Sequence, residues 1–414
     1  MDKQLWEDAQ RVIRDAIGGV LPDQAVRRAL QGREFPGRVI LIAVGKAAWQ
    51  MANAAWSCLG GHIDGGMVIT KYGHVMGPIG NLVCREAGHP IPDENSYAAT
   101  EEALELVRGL APADTVLFLL SGGGSALFEK PLIPPREMED VTGQLLASGA
   151  DIVEMNTLRK RLSAVKAGRF AQAAAPARVL TVVLSDVLGD RLDMIASGPA
   201  CPDGSTAEQA LAVVEKYGLG LSPTCRDTLC RQTPGSLDNV TTLITGSVKE
   251  LCAAAAASAR KLGYSPVIVT DRLCCQAREA GSFLGSILRT HAGQAQSMAF
   301  IAGGETVVRL TGSGKGGRNQ ELALGAAQGI SGIPGAAVFS VGSDGTDGPT
   351  DAAGGYADGD TADALTRLGI DPYQVLENND AYHALEAVGG LIFTGPTGTN
   401  VNDVAVALLR AQKE

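Results

Sequence analysis

Short apolar runs closed by glycine, serine or aspartate recur along the chain and alternate with stretches of helical periodicity. Val39 to Val44, Val116 to Leu120, and the apolar cores of RVLTVVLSD, SPVIVTDRL, SMAFIAGGE and AAVFSVGSD all have this form. Runs of this length bounded by turn formers predict strands. Leu5, Ala9, Val12, Ile13 and Ala16 fall at helical spacing and predict an opening helix, with a second near Ala25 to Leu30. Further helical patterns at Ala98 to Leu110, Glu208 to Tyr217 and Val248 to Leu262 separate several strands. Strand and helix in alternation predict βαβ units and parallel sheets, and no fixed period marks a repeat array.

A chain of 414 residues exceeds what one hydrophobic core usually serves, so two domains are expected. Between Tyr217 and Val240, YGLGLSPTCRDTLCRQTPGSLDNV is rich in turn formers and lacks a long apolar run. The division is placed there, giving domains 1–235 and 236–414. The tail GGLIFTGPTGTNVNDVAVALLRA supplies a last strand and helix, which either stay in the second domain or cross back to the first.

Composition, 45% hydrophobic and 19% charged, is that of a packed globular protein. A net charge of −10 disfavours nonspecific nucleic-acid binding, so anionic ligands must be held locally, and the 52 glycines supply loops able to do it. The eight cysteines show no CxxC pair and Cys274 adjoins Cys275, which reads as reduced, mostly buried thiols. MDKQLWEDAQRVIRDAI lacks the apolar core of a signal peptide, and no later run reaches membrane-spanning length. A cytoplasmic protein without membrane or nucleic-acid partners is expected, with a homodimer left open.

The polar residues cluster where strands end. SGGGSALF places Ser121, Gly122, Gly123, Gly124 and Ser125 after a strand, where backbone N–H groups and two hydroxyls could receive phosphate or carboxylate oxygens. A plain strand-to-helix turn is the other reading. The loop departs from the dinucleotide fingerprint because Leu127 stands in place of the third glycine. Lys46 follows a strand in a tight VGK turn, suited either to a transferred phosphoryl group or to solvent. From Gly303 to Ala327, Glu305, Lys315, Arg318, Asn319, Gln320 and Glu321 surround a glycine-rich loop. This is not a Walker loop, since Arg309 replaces its first glycine and Gly316 follows the lysine. Arg318 can present a planar fork to carboxylate or phosphate.

Two acidic turns, one with Asp186 and Asp190 and the other with Asp344, Asp347 and Asp351, suit metal binding or turn-making equally well. In NTLRKRLSAVKAGRFA, Lys160, Ser163 and Asn156 share one face of a predicted helix that can look into an anion site, and the remaining charges read as a solvated face. His89 in GHPIPDE, followed by Pro90 and Pro92 and ahead of an Asp93 cap, reads as part of a structural turn.

VGKAAWQMA, GHPIPDE, LLSGGGSALF, EMNTLRKRLSAVKAGR, LSDVLGD with IASGPACPD, GGETVVRLTGSGKGGRNQELAL and SVGSDGTDGPTDAAG together resemble the class II glycerate 2-kinases, the MOFRL family, over essentially the whole chain. The resemblance implies two α/β domains enclosing a cleft: a Rossmann-like parallel sheet sandwich, then a smaller mixed-sheet domain. It implies ATP-dependent phosphorylation of D-glycerate to 2-phosphoglycerate, dependence on Mg²⁺ or another divalent cation, and roles for Lys46 and Arg318. Lys46 and Arg318 are thus the expected catalytic residues, joined, on the reading of the residues alone as are the assignments that follow, by Asp186. Ser121 to Ser125, Glu305 and Asn319 are expected at the nucleotide; Lys46, Asn156, Lys160 and Arg318 at the substrate; and Asp186, Asp344 and Asp347 at the metal. Hydroxypyruvate reductase, a label relatives of this family have carried, is the alternative enzyme. It needs an NAD(P)H site, against which the missing third glycine argues. A noncatalytic protein that binds a small carboxylate is the third reading.

Overall fold

The computed structural model describes residues 1–412. The chain forms two units: one of residues 26–184 and 190–245, the other of residues 1–25, 185–189 and, among those described, 246–412.

The first unit is built on β1 (Val39–Val44), β2 (Gly65–Lys71), β3 (Val83–Ala87), β4 (Thr115–Leu120), β5 (Arg178–Leu184) and β6 (Val240–Gly246), in the order β3-β2-β1-β4-β5-β6. The first five run parallel. This is the doubly wound order, whose direction of winding reverses between β1 and β4. Both of those strands are buried along their whole length, which explains why they read as unbroken apolar runs rather than alternating ones.

The second unit carries β7 (Ser265–Leu273), β8 (Met298–Gly304), β9 (Ala336–Gly342), β10 (Gly354–Asp358), β11 (Leu391–Ile392) and β12 (Asp403–Leu409), ordered β11-β10-β9-β12-β8-β7. This sheet is mixed, as expected: β7 and β8 are parallel, whereas β12 lies antiparallel between β8 and β9. The tail thus stays in the second unit, and its expected final helix is a strand. All seven residues of β12 are buried with a partner strand on each side, and that packing outweighs the helix propensity of its alanines and leucines.

Two boundaries differ from expectation. The division falls after residue 245 rather than 235, because the chain leaving the turn-rich segment still adds β6 to the first sheet. The opening helix, Lys3–Gly19, belongs with the second unit. Its apolar stripe of Leu5, Ala9, Val12, Ile13 and Ala16 shares one core with Leu251 and Ala255 of the Val248–Lys261 helix and with Ile301, Phe339 and Val341 of the mixed sheet. Elsewhere in that unit, helices Ala277–His291 and Arg318–Ile330 approach closely at glycines; a Cβ on Gly281 would fall 2.0 Å from the Leu322 carbonyl oxygen.

All eight cysteines are free, but only Cys225 and Cys252 are buried, and Cys58, Cys230, Cys274 and Cys275 are exposed. Among the described residues no helix is long and apolar enough to cross a membrane.

The basic run after Asn156 is the largest departure. Its helix, Ile152–Arg161, begins at an Asp151 capping box and stops before Ser163, so the predicted shared face ends at Lys160. The other charges are not a solvated face. Arg161 is buried and donates to the carbonyls of Leu229, Arg231 and Ser205 at 3.1, 2.9 and 2.6 Å. Arg169 donates to those of Lys160 and Ser163 at 2.8 and 2.7 Å. Lys166 is fully buried, ion-paired with Glu129, and donates to the carbonyls of Ser125 and Phe128 at 3.0 and 3.3 Å. Carbonyl acceptors allow these cations to leave water without a carboxylate for each.

Lys166→Met should lower unfolding free energy by about 3–5 kcal/mol, because Glu129 is left as an unpaired buried carboxylate. Adding Glu129→Leu should recover most of that loss in urea denaturation. Equal stability of the single and double variants would show that the pair carries no such penalty.

Candidate active site

In the first unit, the loops after β1 and β4 meet where the winding reverses. Ser121 N–H donates to the Val44 carbonyl at 2.9 Å, Lys46 N–H to the Gly122 carbonyl at 2.9 Å, and Ala47 N–H to the Ser121 hydroxyl at 3.1 Å. Gly45, at φ 121°, permits this approach, since a Cβ there would stand 2.2 Å from Ser121 Oγ. The Ser121 hydroxyl is therefore a strut between two loops. Gly123 adopts φ 88° and the chain then turns once as Gly124–Leu127.

Ser125 Oγ lies 3.3 Å from Ser197 Oγ, which donates to Asn156 Oδ1 at 3.3 Å. Lys160, nearly buried, reaches Asp193 at 3.4 Å and Asp203 at 3.9 Å. Asn156 is thus linked to the glycine loop through Ser197, which was not among the expected site residues. Ser197 and Ala196 both hold positive φ, 61° and 49°, an outlier pair of the kind that gathers at ligand sites. The signal available in the sequence was the segment IASGP itself.

His89 was also read too narrowly. Asp93 does cap the following helix with a capping box, yet the imidazole faces the glycine loop. A Cβ on Gly123 would stand 3.0 and 3.1 Å from His89 Cδ2 and Nε2 and 3.3 Å from Lys46 Cγ. Burial, followed by the ammonium groups of Lys46 and Lys71, pushes the His89 pKa below its ordinary value.

In the second unit, β8 and β9 end together, and β12 begins between them with Asp403 opposite Gly304 and Gly342. Arg318, first residue of its helix, gives a two-pronged contact to Asp403, Nε to Oδ2 at 2.5 Å and Nη2 to Oδ1 at 3.0 Å, while Nη1 reaches Glu305 at 3.0 Å. Burial alone would lower the guanidinium pKa; the carboxylates of Asp403, Glu305 and Asp347 more than reverse it and keep Arg318 charged.

Asp347 caps the same helix from a neighbouring loop. It accepts from Asn319 N–H and Gln320 N–H at 3.1 and 2.9 Å and from Asn319 Nδ2 at 3.2 Å. Asn319 is 1% exposed, with Oδ1 also accepting from the Ser340 hydroxyl at 2.5 Å, so its amide lies inside this network rather than open to a nucleotide. The acidic turn is likewise engaged: Asp344 Oδ1 accepts from Thr346 N–H and Oγ1 at 3.0 and 3.1 Å. Both oxygens of Asp347 are occupied by the helix, and among the described residues no group of three metal-ligating side chains is assembled. Asp347 does not fit as a metal ligand in this arrangement.

The glycine-rich loop ahead of Arg318 is held by Asn378, Asn379 and Asp380, which the sequence reading passed over. Asn379 Oδ1 accepts from Thr311 and Gly312 N–H at 2.7 and 2.9 Å, the Asn378 carbonyl from Gly314 N–H at 2.9 Å, and Asp380 Oδ1 from Lys315 N–H at 2.9 Å. The cue was three consecutive polar turn-formers between two helical patterns. Lys315 itself stacks over Tyr382, 3.7 Å from the ring centre.

Each unit thus gathers its polar groups at the carboxyl ends of strands, the arrangement of an α/β ligand-binding protein. Residues 8–230 match the family described as Domain of unknown function (DUF4147), and residues 298–403 match the MOFRL family. The chain is 52% identical over 407 residues, 97% of each chain, to a D-glycerate 2-kinase of Thermotoga maritima. It is 40% identical, again over 97% of each, to a glycerate 2-kinase of Pyrococcus horikoshii. The crystal structure of a glycerate kinase from Thermotoga maritima matches with a TM-score of 0.95 and 51% identity, covering 99% of this chain and all of the other. The chain belongs to the glycerate 2-kinase family.

Burial raises the Asp347 pKa to about 6, against the pull of the Asn319 and Gln320 amides and of Arg318. A carboxyl raised in the folded state contributes stability that is fully present below about pH 4 and is lost as the pH rises through about 6. Between those values the wild type should lose up to ~1.4 kcal/mol per pH unit relative to Asp347→Asn. Urea unfolding of both proteins across pH 4–7 measures it, and parallel curves would show that Asp347 titrates elsewhere.

Proposed function

We propose that this protein is an ATP-dependent kinase that phosphorylates the C2 hydroxyl of D-glycerate, giving 2-phosphoglycerate and ADP. The observation that carries the proposal is the full-length similarity to a D-glycerate 2-kinase, in a chain that places Lys46 just after β1 and Arg318 at the start of the helix that follows β8.

In the transfer, the C2 oxygen forms a bond to the γ-phosphorus, the bond to the β,γ-bridging oxygen breaks, and the hydroxyl proton is released. Little covalent work falls to the protein, so positioning and charge stabilisation dominate. The Lys46 ammonium and the Arg318 guanidinium are assigned to the charge on the transferred phosphoryl oxygens. The glycine loop from Gly122 to Ser125 receives phosphate or carboxylate oxygens, and Asn156 and Lys160 belong to the substrate. Asp186 is assigned to orienting the hydroxyl. A divalent cation, when bound, supplies further neutralisation of the phosphates; one or two carboxylates suffice for Mg²⁺ carried on a nucleotide, and Asp186 and Asp344 are the residues assigned to it.

Purified protein with ATP, Mg²⁺ and D-glycerate should give the ³¹P resonance of 2-phosphoglycerate. Appearance of 3-phosphoglycerate would overturn the regiochemistry alone. Oxidation of NADH by hydroxypyruvate without any phosphorylated product would replace the kinase with the reductase, and ligand binding without turnover of either kind would favour a carboxylate sensor. Lys46→Ala and Arg318→Ala should each lower kcat/KM by about 10² or more, since such groups contribute several kcal/mol to the transition state. Near-normal kinetics in either variant removes that residue from the mechanism.

A further inference from the structure

Beside Arg318, wholly within the second unit, lies a cavity of about 580 Å³. Its walls are aliphatic: Leu188, Val307, Val308, Leu310 and Pro349. Leu310 is 81% exposed and Val307 54% exposed, so the cavity presents apolar surface to water. Aliphatic side chains gathered around a concavity mark a place where an apolar ligand surface is meant to lie. Gly314, Gly316, Gly317 and Gly348 also line it.

The charges lining the cavity decide what kind of ligand fits. Glu305 and Glu321 contribute carboxylates. Among the described residues lining it, Arg318 is the one cation, and Asp403 and Glu305 already hold it. The helix N-terminus that could have received a phosphate is filled instead by the Asp347 carboxylate. A triphosphate inside this cavity would face Glu305 and Glu321 with only the Arg318 guanidinium, already shared with Asp403 and Glu305, to answer them. Glycerate, a small anion, would meet the same repulsion and leave most of the volume empty. A neutral, flat, partly apolar group with hydroxyl and amino donors meets the requirement: its rings against the aliphatic walls, its donors toward Glu305 and Glu321.

We infer that this cavity holds the nucleoside end of the phosphoryl donor, a purine base with its ribose, while the phosphates lie outside it. The inference rests on the kinase reading for the presence of ATP and goes beyond it in naming where the base is recognised. It also gives Glu305 a specific role, as an acceptor for the nucleoside rather than a contact for phosphate.

The test uses adenosine, which carries no phosphate, and the variants Leu310→Glu and Leu310→Ala at a position exposed enough to leave folding intact. Adenosine should inhibit the wild type competitively with ATP and not with D-glycerate. Leu310→Glu should raise the KM for ATP and the Ki for adenosine about tenfold or more, with kcat at saturating ATP and the KM for D-glycerate little changed; Leu310→Ala should shift the same constants by less. An unchanged KM for ATP in Leu310→Glu, in an enzyme that phosphorylates glycerate, overturns the pocket and leaves the kinase standing. A raised KM for glycerate alone assigns the cavity to the substrate and likewise overturns it. Calorimetric binding of adenosine, lost in Leu310→Glu, by a protein that makes no phosphoglycerate would fail the kinase reading while retaining the pocket.

Discussion

The Arg318 and Asp403 ion pair exists because one strand runs against its neighbours. β8 and β9 point the same way and end at the same edge; β12, antiparallel and inserted between them, begins at that edge. Its first residue, Asp403, therefore sits where two strand ends converge, within reach of the helix that follows β8. A two-pronged contact of this type fixes the plane of a guanidinium as well as its position, which a single hydrogen bond does not. Once Asp403 holds two nitrogens and Glu305 the third, the face that Arg318 can offer a ligand is determined by the sheet. The Asp347 cap then prevents the helix start from competing for the same anion.

The first unit reaches a similar end by a different constraint. There the strands around the reversal point are parallel, and what limits the site is how closely two backbone turns can approach. Gly45 lies against Ser121 at a separation no side chain would allow, and the hydrogen bonds exchanged between the loops fix Lys46 relative to Gly122. Beneath the loop, Lys166 binds the carbonyls of Ser125 and Phe128 from the interior. The loop is thus held from below, while His89 and Lys46 stand against Gly123 on its other side. Such preorganisation suits a reaction in which geometry and charge, rather than covalent steps, supply the acceleration.

Much of this was legible in the sequence. Unbroken apolar runs identified β1, β4, β8 and β9, because strands buried on both faces lose the alternation that marks a half-exposed sheet. The glycines and Lys46 marked the ends of those strands for the same reason that they work there. What was not legible depended on partners distant in the chain. The opening helix carries a clear stripe, but a stripe says only that a face is buried, and the surface it covers belongs to residues beyond 246. Asp403 sits in an unremarkable NDV segment and acquires meaning only when β12 enters the middle of the sheet.

The basic run after Asn156 shows why composition misleads most where a site is built. Of five cations in sixteen residues of an acidic protein, all but Lys160 read as a water-facing helix surface, because isolated charges rarely leave water. The structure satisfies Arg161 and Arg169 with backbone carbonyls and Lys166 with one carboxylate and two carbonyls. Carbonyls carry no sequence signal, since every residue has one. The same holds for the glycine-rich loop of the second unit, whose conformation is imposed by Asn379 and the backbone of its neighbours together with glycines that let them approach, a Cβ on Gly312 falling 2.4 Å from the Asn378 carbonyl oxygen. A site assembled from main-chain acceptors is therefore visible in sequence mainly through its glycines and its cations, while the groups that determine which cation is free to act become visible only in the fold.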